Sequence, residues 1–162
     1  MKRIENISRR GFLKDVFSAG ALVLGARLLP IEALAALEGT EFQPNIWIGL
    51  QADGVVRIVT SRSEMGTGTA TSIPLVVADE MEADWSRVKL EQAIGDKKYG
   101  DQNTDGSRSI TLFKHVMHEA GATARLMLEQ AAANKWGVPE SECTARFHEV
   151  VHGPSGRKFG FG

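Results

Sequence analysis

Ser63-Glu64-Met65-Gly66-Thr67-Gly68-Thr69-Ala70-Thr71-Ser72-Ile73-Pro74-Leu75-Val76-Val77-Ala78-Asp79-Glu80-Met81 is where one periodicity gives way to another. Its first part, Ser63 to Thr71, is small, polar and glycine-rich. From Thr71 a helical pattern begins, with Ile73, Val76, Val77 and Met81 on one side. Proline is tolerated in the first turn of a helix, so Pro74 predicts a start close to Thr71. Upstream, Asn45 to Leu50 alternates Ile46, Ile48 and Leu50 against Trp47 and Gly49, and Val55 to Thr60 is rich in β-branched residues. The turn signal Ala52-Asp53-Gly54 separates them, which predicts a β-hairpin. Downstream, Trp85-Ser86-Arg87 leads into a predicted strand, Val88 to Ala93.

Residues 94–109 are polar, with three glycines and no period. A loop of this length is usually functional or disordered. A long helix follows, carried by Phe113, Val116, Met117, Ala120, Ala124, Met127, Leu128 and Ala131 at spacings of three and four. Asn134-Lys135-Trp136-Gly137 and Pro139 end it. The tail reads as strand, turn and strand around Gly153-Pro154-Ser155-Gly156. The order ββαβαββ predicts an α+β fold, a small mixed sheet with two main helices.

Composition bounds the function. With 43% hydrophobic and 24% charged residues, three Trp and seven Phe, the chain is neither disordered nor fibrous. Cys143 is the single cysteine, which excludes an internal disulfide framework. A formal charge of −1 gives no support to nucleic-acid binding. That charge is a sum of unlike parts. Residues 1–36 hold Lys2, Arg3, Arg9, Arg10, Lys14 and Arg27 against Glu5, Asp15 and Glu32, and the remainder is net acidic.

Those first residues have the layout of an export signal. Ser8-Arg9-Arg10-Gly11-Phe12-Leu13-Lys14 precedes an apolar run from Val16 to Ala26, and Ala33-Leu34-Ala35-Ala36 supplies a small-residue end. Arg27, Pro30 and Glu32 break the run before the roughly 20 apolar residues that a membrane span needs. The paired arginines resemble the twin-arginine signal, which implies a twin-arginine translocase as partner, a periplasmic location and a cofactor inserted before export. Residues 37–43 read as a linker.

Two loop-to-helix junctions could hold a ligand: Ser63 to Thr69, and Thr104-Asp105-Gly106-Ser107-Arg108-Ser109. The first turn of a helix leaves backbone N–H groups unpaired and carries partial positive charge. Glycine admits close approach, and Ser and Thr add hydroxyls, so such a junction suits a phosphate. A capped helix start without any ligand has the same composition.

Several segments together resemble one family. Ser63 to Met81 is similar to the E-M-G-Q-G segment of the molybdopterin-binding subunits of the xanthine dehydrogenase and aldehyde oxidase family. The exported branch typified by isoquinoline 1-oxidoreductase beta subunits and related aldehyde dehydrogenases is nearest. Pro44 to Val56, Asp84 to Val88, Asp105 to Ser109, Ala120 to Ala133 and Trp136 to Ala145 agree in order and spacing, so the resemblance covers 44–162. It implies part of a larger molybdopterin-binding domain in a molybdenum hydroxylase that oxidises an aldehyde or N-heterocycle with water-derived oxygen. The cofactor implied is molybdopterin cytosine dinucleotide with molybdenum, in which the protein binds, orients and tunes the group. Iron–sulfur clusters in a small partner subunit would take the electrons, with a cytochrome as a further acceptor. By position, Gly66, Thr67 and Gly68 fall on the cofactor segment, and Gly106, Ser107 and Ser109 on the second loop. Where the family commonly has Gln, this chain has Thr67, which is shorter and lacks the amide. The family's catalytic Glu lies near the far end of subunits several hundred residues long. The resemblance therefore implies an N-terminal fragment with no catalytic residue of its own, inactive alone. A small exported binding domain without redox activity is the competing expectation.

Other patterns carry less. His148-Glu149-Val150-Val151-His152 has the H-E-x-x-H spacing of zinc hydrolases, which needs a helix. Val150-Val151 favours a strand and Gly153-Pro154 forbids a helix beyond, so both histidines are expected on the surface, on one side of a strand. His115 and His118 are expected as solvated helix residues, as are Asp79, Glu80 and Glu82. Cys143 is expected as an inert thiol, and Met117 and Met127 as core.

Overall fold

β1 (Ile48–Leu50) and β2 (Val56–Thr60) form the expected hairpin, in register Ile48↔Ile58 to Leu50↔Val56. Gly54, at φ +84°, closes the turn, with its N–H donating to the Gln51 carbonyl at 2.8 Å. The computed structural model describes residues 41–162, so the export signal at 1–36 lies outside the described residues. α1 (Thr69–Glu80) then crosses back over the sheet, and β3 (Val88–Gln92) pairs parallel to β2 in register Val56↔Val88 to Thr60↔Gln92. α2 (Arg108–Trp136) follows the 94–107 loop and ends on Gly137 at φ +67°. β4 (Cys143–Arg146), β5 (Glu149–His152) and β6 (Lys158–Gly160) make a second, antiparallel sheet in the order β4-β5-β6.

The α+β class with two main helices stands, with the strands divided between two three-stranded sheets. The tail contains one strand more than its sequence predicts, β4. The linker expected over 37–43 is paired at its described end. Phe42 bridges Leu50 through two backbone hydrogen bonds of 2.7 and 2.9 Å, and the Glu41 carboxylate takes the Arg57 guanidinium at 2.6 and 2.7 Å. That fork holds the Glu41 carboxyl below the usual carboxylate range. α1 starts at Thr69 rather than Thr71, so Pro74 sits inside the helix, fully buried. The earlier start has a local cause, because a carboxylate just upstream captures the first amides, as described below.

The core lies where both helices meet the first sheet. Ile48, Val56, Ile58, Ile73, Val77, Met81 and Met117 are at most 2% exposed. α2 buries Phe113, Met117, Ala120, Gly121 and Ala124, then Ala132 and Ala133. Val116 and Ala131, expected on that face, are exposed, because the buried stripe shifts by a residue over the length of the helix. The helices cross at Gly121. A Cβ there would lie 2.8 Å from the Val77 carbonyl oxygen and 2.8 Å from the Glu80 Cβ, so glycine is what allows the approach. Beside the crossing, His118 Nδ1 meets Glu80 Oε1 at 2.5 Å, so these two residues bridge the helices rather than standing free in solvent.

The second sheet is fastened to the first through His148. Phe147 and His148 form the β4–β5 turn, both with positive φ, at +51° and +67°. Left-handed backbone costs a residue with a Cβ about 1 to 2 kcal/mol, so the turn needs outside support. The His148 N–H donates to the Glu82 carbonyl at 2.7 Å, the Asp84 N–H donates to Nδ1 at 3.1 Å, and Nε2 meets the Gly54 carbonyl at 2.8 Å. An accepting Nδ1 and a donating Nε2 are the pattern of the neutral imidazole. His148 and His152, expected on the surface, are each 4% exposed. His152 sits between Glu142 Oε2 at 2.8 Å and Ser155 Oγ at 2.6 Å.

Gly121→Val should destabilise the chain by about 1–3 kcal/mol, the range for forcing atoms into a packed contact, read as a lower urea midpoint. An unchanged midpoint would mean that the helices separate freely. Burial lowers the His148 pKa from its ordinary 6.5. Below that value the unfolded chain therefore binds a proton that the fold resists, and stability falls as pH drops. The contribution is complete above about 6.5, the unfolded value, and is lost progressively below it. The urea midpoint should decline from pH 7.5 to 5.5, and His148→Gln should flatten that decline while lowering stability at pH 7.5. An equal slope in both proteins would remove His148 as its source.

Candidate functional site

Parallel β2 and β3 end on the same edge of the sheet, and the two glycine-rich junctions leave from there. In open sheets this edge, beyond the carboxyl ends of parallel strands, is where ligands sit. The Thr104 hydroxyl donates to the Ser63 carbonyl at 3.0 Å and ties the two loops together. Between them lies a pocket of about 410 Å³. Met65, Thr67 and Thr69 line one side. Thr104, Asp105, Gly106 and Ser107 line the other, with Ser109 and Ile110 from the first turn of α2. The volume is in the usual range for small-molecule sites.

The sequence-predicted residues divide by role. Thr67, Gly106, Ser107 and Ser109 come together as lining. Gly66 and Gly68 do not line the pocket. They set the loop's course with φ of +84° and +75°, and open space surrounds the point where a side chain would begin at either. The Thr67 and Thr69 hydroxyls lie 3.4 Å apart. Thr69, Thr104 and Ile110 fall outside the sequence expectation, and their signal is position alone, within or beside the two junctions.

The two helix starts differ in charge state. At α1 the Glu64 carboxylate folds back over the loop and accepts from the Gly68 N–H at 3.0 Å and the Ala70 N–H at 3.1 Å. Those amides hold the Glu64 carboxyl below the usual carboxylate range. The anion position at α1 is therefore filled by the chain itself. At α2 the N-cap is Ser107, in the left-handed region at φ +56°, and no side chain caps the helix. Its first turn holds Arg108 and no acidic residue. The Arg108 N–H donates to the Asp105 carbonyl at 3.1 Å, and the rest of the first turn lies beside three hydroxyls (Thr104, Ser107 and Ser109) and Gly106, a setting that suits a phosphate.

Among the described residues no group of three or more His, Cys, Asp or Glu side chains converges in the manner of a metal site. The H-E-x-x-H segment is a turn and a strand, with its histidines engaged as described. Burial pushes the Cys143 thiol up, which suits an inert core residue. No helix among the described residues is long and apolar enough to cross a membrane.

The family model of the molybdopterin cofactor-binding domain matches residues 26–160. This chain belongs to that family. Its kinship runs to the molybdopterin-binding subunits of the xanthine dehydrogenase family. The isoquinoline 1-oxidoreductase subunit beta of Brevundimonas diminuta is 37% identical across 96% of this chain and 21% of its own length. A membrane-bound aldehyde dehydrogenase of Gluconacetobacter polyoxogenes is 33% identical across 97% of this chain and 21% of its own. The chain thus spans about a fifth of the length of these relatives. The second relative carries pyrroloquinoline quinone in its name, so the molybdopterin assignment rests on the family model. Quinoline 2-oxidoreductase from Pseudomonas putida 86 shares the fold with a TM-score of 0.60, at 18% identity, over 70% of this chain and 14% of that one.

Proposed function

We propose that the pocket between the two loops holds the phosphate-bearing part of a molybdopterin cofactor, in its cytosine dinucleotide form. The observation that carries this is the uncapped first turn of α2, set among Thr104, Ser107 and Ser109 on a pocket of about 410 Å³. When bound, such a cofactor supplies molybdenum chemistry that hydroxylates a substrate carbon with oxygen from water. The residues of this chain bind and orient. Ser107 and Ser109 offer hydroxyls, Gly106 allows close approach, and the first amides of α2 face the negative charge. Thr67 and Thr69 close the opposite side, and Thr67 offers a hydroxyl where the related segments carry an amide. The whole protein is then an oxidoreductase of an aldehyde or N-heterocycle, with a catalytic base that this chain does not supply.

The isoquinoline relative is named as one subunit of a larger assembly, which supports a partner here as well. Electrons removed from substrate must leave the molybdenum centre, which supports an iron–sulfur subunit as that partner, with a cytochrome to receive them in the periplasm. Export on the twin-arginine route would suit a domain that closes around its cofactor before crossing the membrane.

Titration of the full chain with inorganic pyrophosphate and with cytidine diphosphate, followed by calorimetry, tests the site. Both should bind, and Ser109→Asp, which places a carboxylate at the open helix start, should weaken each about tenfold or more. Glu64→Gln should not weaken them. Tighter binding in Glu64→Gln with no loss in Ser109→Asp would move the anion to α1. Localisation is tested separately. With Arg9 and Arg10 both changed to Lys, the protein should remain in the cytoplasm, and normal delivery to the periplasm would refute the twin-arginine reading.

A further inference from the structure

Arg62 follows β2 immediately and is completely buried, at 0% exposure. Among the described residues none of its guanidinium nitrogens finds a hydrogen-bond partner, and its neighbours' Thr60 Oγ1 and Ser61 Oγ are likewise unmatched. A buried guanidinium costs several kcal/mol in desolvation, on the order recovered only by well-placed partners. Two contacts hold it. Its Cζ lies 5.0 Å from the centroid of the Phe113 ring, on α2, and its Nη2 lies 3.4 Å from Asp101 Oδ2. Asp101 is part of the 94–107 loop and is 41% exposed in its side chain. It meets Arg108 at 3.9 Å, and Arg108 meets Asp105 at 2.5 Å. Four alternating charges thus run from the end of β2 to the wall of the pocket.

The two ends of the 94–107 loop are held differently. Near its start, Tyr99 is buried against Trp47, with ring centroids 5.4 Å apart, and Trp47 meets Phe113 edge-on at 5.8 Å. The stretch 101–107 has no buried apolar residue of its own. Its ties are the Thr104–Ser63 hydrogen bond, a hydrogen bond from Gln102 Nε2 to the Asp96 carbonyl at 2.9 Å, and the charge chain. Asp101 is held ionised first by the Asn103 N–H and then by Arg62 and Arg108.

We propose that Arg62 is a positioning residue for the pocket, which acts from beneath through Asp101 and Arg108 to hold the 101–107 segment at the open start of α2. The functional sense of this rests on the cofactor reading above, but the anchoring itself does not. Arg62 touches no ligand. A guanidinium suits the role better than a hydrophobe because it can pull a carboxylate toward the core and so fix the loop that carries it. An apolar residue of the same volume would fill the space and leave the loop free.

Hydrogen exchange of the full chain, without any anion present, decides the matter. In Arg62→Met the peptide spanning 101–108 should exchange about tenfold faster, a loss of local protection, while β4 and β5 keep theirs. The unfolding midpoint should hold or rise, since a buried charge has been replaced by a well-packed apolar side chain. Asp101→Asn, a substitution at a half-exposed site that does not threaten folding, should produce the same local acceleration, and the double variant should add nothing further. Arg62→Lys, which keeps the charge, should recover most of the protection. Unchanged exchange at 101–108 in Arg62→Met or Asp101→Asn would overturn the proposal, as would acceleration spread evenly through β4 and β5. Failure of pyrophosphate to bind the unmodified chain would instead remove the cofactor reading and leave the anchoring intact.

Discussion

Because β2 and β3 run parallel, the chain must cross back over the sheet between Thr60 and Val88, and α1 is that crossing. The geometry leaves no freedom about where the loops emerge. A parallel pair ends on one edge, so the segment after Thr60 and the segment after Gln92 are neighbours although about thirty residues separate them in sequence. Each segment then enters a helix. Two helix starts therefore face the same space, and a pocket between them is a consequence of topology before any side chain is chosen. Gly121 completes the constraint, since the approach of α2 to α1 sets how far apart the two starts can be.

Side chains then break the symmetry of those two starts. Both are glycine-rich and both enter the helix through a left-handed residue, Gly68 and Ser107. An isolated helix start is an equally good anion site in either place. Glu64 decides between them by lying across the amides of α1, an intramolecular occupant that a free anion would have to displace. At α2 the nearby acid, Asp105, is turned to Arg108 and leaves the first turn open. A ligand with one anionic group therefore meets a pocket that is polar on both sides but receptive on one.

Much of this framework is legible in the sequence, because it is local. The β1–β2 hairpin announces itself by alternation around Asp53-Gly54, and the helices by their spacing. What is hidden depends on distant partners. β4 is only four residues of Cys-Thr-Ala-Arg, and the turn after it, Phe147-His148, contains neither the glycine nor the asparagine that most clearly signals a left-handed turn. It persists because Glu82, Asp84 and Gly54 hold His148, and none of those is near it in sequence. Phe42 lies in seven residues without a period, since a single bridge to Leu50 leaves no pattern. Both glycine-rich loops are visible from composition, but which helix start lacks a side-chain occupant is not. That depends on the rotamer of Glu64. Likewise nothing in Thr60-Ser61-Arg62 foretells a guanidinium at 0% exposure, because its burial is supplied by Phe113 and the 94–107 loop.

The ionisable groups also separate the two halves of the structure by pH. The second sheet depends on a neutral imidazole, and burial keeps the His148 pKa below 6.5. Each step of acidification below that value favours release of the β4–β5 turn from Gly54 and Asp84. The pocket depends on anions instead. Glu64 and Asp101 are held below the ordinary carboxylate values of 4.5 and 3.8 by backbone N–H groups, with Arg62 and Arg108 adding to the hold on Asp101. Their contributions are complete above those ordinary values and decline only below them, although the groups stay ionised in the fold until their lowered pKa values are reached. Mild acid therefore strains the attachment of the second sheet while the helix starts, the charge chain and the loop they position keep their ionisation. The two sheets thus answer to different protons, and the pocket between the helix starts is built on the one that yields last.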